Sequence, residues 1–168
     1  EWHGLHNTGV IGSGLFTKNI LLPNLIKVQG VKLRGIASSQ GLTASHAARR
    51  YGFEYCTSDY REIINDEKIK TVIITTPHNL HARMVSEAIN FGKNVFVEKP
   101  LAIELDELKG LYRTVKDSNN SSRLFVGFNR RYSPIALDIK KKLNMRIAPL
   151  VCSYRVNAGF IPNDHWTQ

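Results

Sequence analysis

Residues able to do chemistry gather in short clusters, each directly behind an apolar, partly β-branched run. The first is Gly12-Ser13-Gly14, which follows Gly9-Val10-Ile11 and precedes Leu15, Ile20, Leu21, Leu22 and Leu25 at helical spacing. Gly12 permits a tight turn out of a strand. Gly14 lets a pyrophosphate approach the backbone where the first N–H groups of a helix are unpaired and its dipole is positive. Thr17 stands where G-x-G-x-x-G has its third glycine, and a bare G-x-G also serves as a plain turn. The second cluster runs from Thr75-Thr76-Pro77 to His78-Asn79-Leu80-His81. Its hydroxyls and its direction-fixing proline suit the flank of a cofactor. Two histidines three apart also fit a metal, although no third ligand is evident, and a loop histidine is as readily a surface residue or a helix cap. The third is Glu98-Lys99-Pro100. In solvent that is an ion pair; facing a ligand crevice, Lys99 could hydrogen-bond a substrate hydroxyl, stabilise developing oxyanion charge and have a tunable pKa. The fourth is Gly127-Phe128-Asn129-Arg130-Arg131-Tyr132.

The elements that must position these clusters alternate. A first helix runs to about residue 28, kinked or divided by Pro23, whose ring cannot donate a backbone bond. Strands are expected over 31–37, 53–56, 71–76, 94–97 and 123–127, and helices over 41–51, 60–65, 80–91 and 104–116. Gly52 closes the second helix, and Ser58 or Asp59 caps the third. The run TVIITT reads as a central parallel strand covered on both faces. Such alternation predicts right-handed βαβ units and a doubly wound parallel sheet, an α/β Rossmann fold. A basic helix over 133–144 with Pro134 in its first turn, and a further strand over 150–156, then look like the start of a truncated α+β second domain. The expected organisation is an appended remnant or linker over 1–8, a dinucleotide-binding domain over 9–128 and the beginning of a substrate domain over 129–168.

In an open parallel sheet the ligand lies outside the carboxyl ends of the strands. Behind the second strand come Ser38 and Ser39, where an NAD site places an acid for the ribose 2′-hydroxyl. The missing acid tilts the reading from NAD toward NADP, with Arg49, Arg50 or Lys18 as a base for the 2′-phosphate. The stretch 38–41 also reads as a polar turn that caps the next helix.

Composition narrows the class. No stretch approaches the ~20 apolar residues of a membrane span, and the N-terminus has no signal-peptide pattern. Cys56 and Cys152, far apart and outside metal-ligand spacing, read as reduced, buried thiols of a cytoplasmic protein. Asn119 and Asn120 fall in sequons, but 117–122 reads as a polar loop. A net charge of +9, concentrated after Arg123, fits anionic ligands. No aromatic–basic interleaving, recognition helix or zinc pattern supports nucleic acid.

Taken together, GVIGSG (9–14), TTPHNLH (75–81), VFVEKPLA (95–102) and GFNRRYSP (127–134) resemble the Gfo/Idh/MocA oxidoreductases, named for glucose–fructose oxidoreductase and inositol dehydrogenase. The resemblance covers the chain from Gly9 onward, and NAGFIPNDHW also looks like oxidoreductase branches of that family. It implies a two-domain, NAD(P)-dependent enzyme acting on a sugar or polyol, often homo-oligomeric, without nucleic-acid or membrane partners and without a metal. Gly12, Ser13, Gly14, Leu15 and Phe16 would line the pyrophosphate, and Ser38 would meet the ribose. Thr75, Thr76, Pro77, Asn79 and His81 would flank the cofactor. Glu98 and Lys99 would sit at the nicotinamide, Lys99 as the catalytic lysine. Asn129 and Arg130 would lie near nicotinamide or substrate, and Trp166 would close over the ring. The family tolerates Thr17 at the third glycine position. Its D-x-x-x-H segment, with the catalytic Asp and His, is not matched by His165, so this chain is expected to supply the cofactor part of an enzyme and not to turn over alone. The alternatives are a non-catalytic NAD(P)-binding module, which would bind cofactor yet reduce no sugar, and a nucleic-acid binder using 123–146, which would weaken steeply with salt.

Overall fold

The computed structural model describes residues 6–118, 121–157, 159 and 160. The chain divides after Phe128 into two compact units. The first holds β1 (His6–Ile11), β2 (Val31–Ala37), β3 (Tyr55–Thr57), β4 (Thr71–Ile74), β5 (Asn94–Glu98) and β6 (Leu124–Gly127). These form one six-stranded sheet in the order β3-β2-β1-β4-β5-β6, every neighbouring pair parallel. The order reverses between β1 and β4, which makes a crevice at their carboxyl ends.

Strand periodicity distributes the core. Val10, Ile36 and Ile73 face one side, under α1 (Leu22–Leu25) and α2 (Gly41–Tyr51). Ile11, Val72, Ile74, Val95 and Val97 face the other, under α3 (Tyr60–Asn65), α4 (His81–Asn90) and α5 (Leu105–Asp117). This two-sided burial is why the strands read as near-continuous apolar runs.

Local signals set the helix ends. Asp59 caps α3 by accepting from the Arg61 N–H at 2.9 Å, so of the two candidate caps Asp59 acts. Glu104 and Glu107 form a capping box at the start of α5. Pro23 divides the first helix: Thr17–Leu21 is a π-helical turn, and the Leu22 N–H donates to the Thr17 carbonyl five residues back. The wider turn admits the proline ring next to carbonyls that it would otherwise crowd.

Several expectations change. β1 begins at His6, not Gly9, because His6, Asn7 and Thr8 pair with Val31, Lys32 and Leu33; these residues are sheet, not linker. β3 starts at Tyr55, two residues later than expected, since Phe53 turns down into the core beneath α2. Cys56 and Cys152 are exposed, not buried. Cys56 lies mid-strand on the sheet's edge. In the second unit a 3-10 turn, Asn129–Tyr132, leads into α6 (Pro134–Leu143), capped by Ser133 accepting from the Ala136 N–H at 3.2 Å. Residues 150–156 form no strand, because no neighbouring strand among the described residues offers a ladder.

Candidate functional site

The site begins at the turn between β1 and the first helix. Gly12 has φ +107°, a left-handed backbone, and donates its N–H to the Ala37 carbonyl at 2.8 Å. A Cβ there would stand 2.7 Å from Thr75 Oγ1 and 2.8 Å from the Thr75 backbone, so both conformation and space require glycine. Gly14 is different: a Cβ would meet nothing within 4 Å. No protein group fills the space over the Gly14 backbone, as a cradle for an approaching phosphate requires.

Thr17 is fully buried, and its hydroxyl lies 2.8 Å from the Thr75 hydroxyl. Thr75 in turn donates its N–H to the Ile11 carbonyl at 2.8 Å. The residue in the third-glycine position therefore fastens the glycine turn to the loop behind β4. A second hydroxyl chain joins the turn to β2: Ser13 Oγ lies 2.7 Å from Thr43 Oγ1, which lies 3.0 Å from Ser38 Oγ. Thr43, in the first turn of α2, also donates to the Gln40 carbonyl at 2.7 Å.

These loops enclose a cleft of about 270 Å³ that brings together Gly12, Ser13, Gly14, Ser38, Thr75, Thr76 and Pro77 of the expected set, with Ser39 beside them. Its other wall is Ser58, Tyr60, Leu80 and Met84. Sequence reasoning missed Thr43, and it took Ser58 only as a candidate cap. The available signal was position: Ser58 and Tyr60 directly follow the third strand, on the same carboxyl edge as the glycine turn. The Tyr60 hydroxyl donates to the Glu87 carboxylate, at 3.0 and 2.9 Å from its two oxygens. Burial, then the Glu87 carboxylate, raises the pKa of that hydroxyl. The Arg61 guanidinium stands 5.1 Å from the Tyr60 ring centre and that of Arg83 5.8 Å.

Among the described residues, the other expected ones do not line this cleft. Leu15 and Phe16 are exposed in the helical turn behind Gly14. Asn79 is exposed in the 3-10 turn His78–Leu80. Glu98 ends β5 with its carboxylate over the neighbouring strand: a Cβ on Gly127 would be 2.9 Å from Glu98 Oε1. Lys99 is exposed in the next turn, and the Lys99–Pro100 bond is cis. Asn129 and Arg130 belong to the second unit, and Trp166 lies outside the described residues.

Two expectations are corrected here. His81 was expected beside a cofactor, but its ring is fully buried, Nδ1 2.7 Å from the Pro100 carbonyl oxygen and Nε2 2.8 Å from that of Thr76. Neither nitrogen is left for a cofactor or a metal. Among the described residues no three His, Cys, Asp or Glu side chains converge as a metal site. Arg49 and Arg50 occupy the last turn of α2, whereas Ser38 and Ser39 precede its first. At a helical rise of about 1.5 Å per residue, most of the helix length separates them, too far for a shared 2′-phosphate. Beside this cleft His78 has its pKa lowered, by burial first and then by the charges of His81 and Lys99.

Comparison with known proteins agrees with this geometry. A family profile described as "Oxidoreductase family, NAD-binding Rossmann fold" matches residues 6–128. Levoglucosan dehydrogenase of Pseudarthrobacter phenanthrenivorans is 41% identical over 120 residues, covering 71% of this chain and 30% of that protein. The scyllo-inositol 2-dehydrogenase (NAD(+)) of Bacillus subtilis is 36% identical over 122 residues, 72% of this chain and 35% of that one. A solved levoglucosan dehydrogenase in complex with NADH and levoglucosan superposes with TM-score 0.72 at 37% identity, covering 82% of this chain and 39% of the other. The chain thus spans well under half the length of these relatives. Among the described residues no helix is long and apolar enough to cross a membrane.

Proposed function

This chain belongs to the Gfo/Idh/MocA oxidoreductase family, and on that premise we propose that it supplies the cofactor domain of an NAD(P)-dependent oxidoreductase acting on a sugar, a polyol or the corresponding keto sugar. One observation carries the reading: the cleft at the carboxyl ends of β1, β2 and β4 joins a left-handed Gly12, an open Gly14 and a row of hydroxyls. That is the donor set that a dinucleotide diphosphate and its riboses need.

In this reading the backbone N–H groups of Gly14, Leu15 and Phe16 hold the pyrophosphate at the positive end of the first helix. Ser38 and Ser39 take the adenosine ribose, and the absence of an acid there favours the 2′-phosphate of NADP over the free hydroxyl of NAD. Tyr60, Leu80 and Met84 give the adenine an apolar wall. Thr75, Thr76, Pro77 and Asn79 border the nicotinamide end with Glu98 and Lys99. The nicotinamide supplies the hydride chemistry. Lys99 supplies the polar part: its nitrogen binds the substrate oxygen, holds the proton that leaves or joins it, and stabilises the developing oxyanion. The substrate class follows from relatives that act on levoglucosan and scyllo-inositol.

The test is turnover by the whole protein that carries this chain, with NADP+ and NAD+ and a panel of polyols and cyclic sugars. Lys99→Ala should lower kcat by about a hundredfold or more while cofactor affinity stays within about twofold. Cofactor binding without turnover of any panel member would favour a non-catalytic binding module.

A further inference from the structure

His81 is the first residue of α4, and none of its surface is exposed. Burying a polar ring away from solvent is unfavourable unless its nitrogens find partners. Here both partners are loop carbonyls, Pro100 at 2.7 Å and Thr76 at 2.8 Å. A carbonyl only accepts, so each contact is a hydrogen bond only where the ring nitrogen carries the proton: the neutral ring donates to one carbonyl, the imidazolium to both. The two carbonyls belong to different loops. Thr76 follows β4 and lines the cleft; Pro100 follows β5 and is bonded directly to Lys99. The neighbouring His78 ring stands 5.7 Å from that of His81.

We propose that His81 is a positioning residue: lodged between the Thr76 and Pro100 carbonyls, and donating to them, it holds the loop behind β4 to the loop behind β5 and sets where the Lys99 ammonium stands. The geometry stands on this chain alone. Its bearing on catalysis rests on Lys99 acting on substrate, as proposed above. A histidine that only filled core would be replaceable by an apolar residue of similar size with no effect at Lys99.

The test uses His81→Leu, and His81→Gln, whose amide keeps an N–H donor and serves if the leucine variant does not fold. Each folded variant, checked by circular dichroism, is labelled briefly with acetic anhydride. Mass spectrometry then reads the acetylation rate of Lys99 against that of exposed Lys140 and Lys141. His81→Leu should change the Lys99 rate about threefold or more and leave the reference lysines unchanged, with His81→Gln between it and the wild type. A wild-type Lys99 rate in a folded variant overturns the proposal. In the whole enzyme, His81→Gln should lower kcat with little change in KM, and should lower it no further in a Lys99→Ala background; additive losses would contradict action through Lys99. If the whole protein turns over no polyol or sugar, the oxidoreductase reading fails, while the labelling result still decides the positioning claim.

Discussion

The hydroxyls of Thr17 and Thr75, 58 residues apart, meet at 2.8 Å and tie the glycine turn to the loop behind β4. Thr17 occupies the place of a glycine that would let helix and strand pack closely, and it compensates by bonding across the gap. Thr17→Val keeps the shape and removes the bond. Chemical denaturation should show a loss of about 1 kcal/mol. The double variant with Thr75→Val should lose less than the sum of the two single changes, since the hydroxyls depend on one another. Strict additivity would mean that the contact contributes nothing.

Gly12→Ala tests the turn itself. The left-handed φ and a Cβ pressed against the Thr75 backbone at 2.8 Å leave no room for relaxation. Stability should fall by about 2 kcal/mol or more, read as a lower denaturant midpoint at unchanged m-value. A variant as stable as the wild type would contradict the backbone described here.

Ser39→Asp tests cofactor preference. Ser39 lines the cleft, is exposed, and takes no part in the Ser13–Thr43–Ser38 chain, so the change leaves that chain in place. A carboxylate there would accept from a ribose 2′-hydroxyl and repel a 2′-phosphate. The ratio of NADPH to NADH affinity should fall about tenfold or more. An unchanged ratio would move the ribose away from the end of β2.

His78 gives a pH dependence. Burial, with the charges of His81 and Lys99, holds its folded pKa below the ordinary 6.5. As pH falls below 6.5 the unfolded chain takes up a proton that the folded chain resists. Its contribution to stability is therefore full above that value and is lost as pH drops through the folded pKa. Thermal melts from pH 7.5 to 5.5 should show a steeper drop for the wild type than for His78→Gln. Parallel profiles would remove His78 from the account.

The sheet was legible because strands buried on both faces must be apolar throughout, and 71–76 could hardly be read otherwise. The Gly12 turn was legible because only glycine accepts its backbone. What escaped were features set by distant partners. His6–Thr8 looks unremarkable until it pairs with Val31–Leu33 in the ladder. The alternation at 150–156 has a strand's pattern but no neighbour among the described residues to complete it. Cys56 is exposed because β3 is an edge, and edge position is a property of strand order. His81 has the residue type of a ligand, yet its bonds go to carbonyls of two loops, one of them 19 residues on.

The central claim is that a dinucleotide diphosphate lies over Gly14, and titration calorimetry with NADPH and NADH into this chain and its Gly14→Ala variant tests it most directly. A Cβ at Gly14 touches no protein atom within 4 Å, so the variant should melt with the wild type. The account predicts saturable one-site binding to the wild type and at least about tenfold weaker binding to the equally stable variant. Equal affinity for both proteins, or no binding to the wild type, would contradict it.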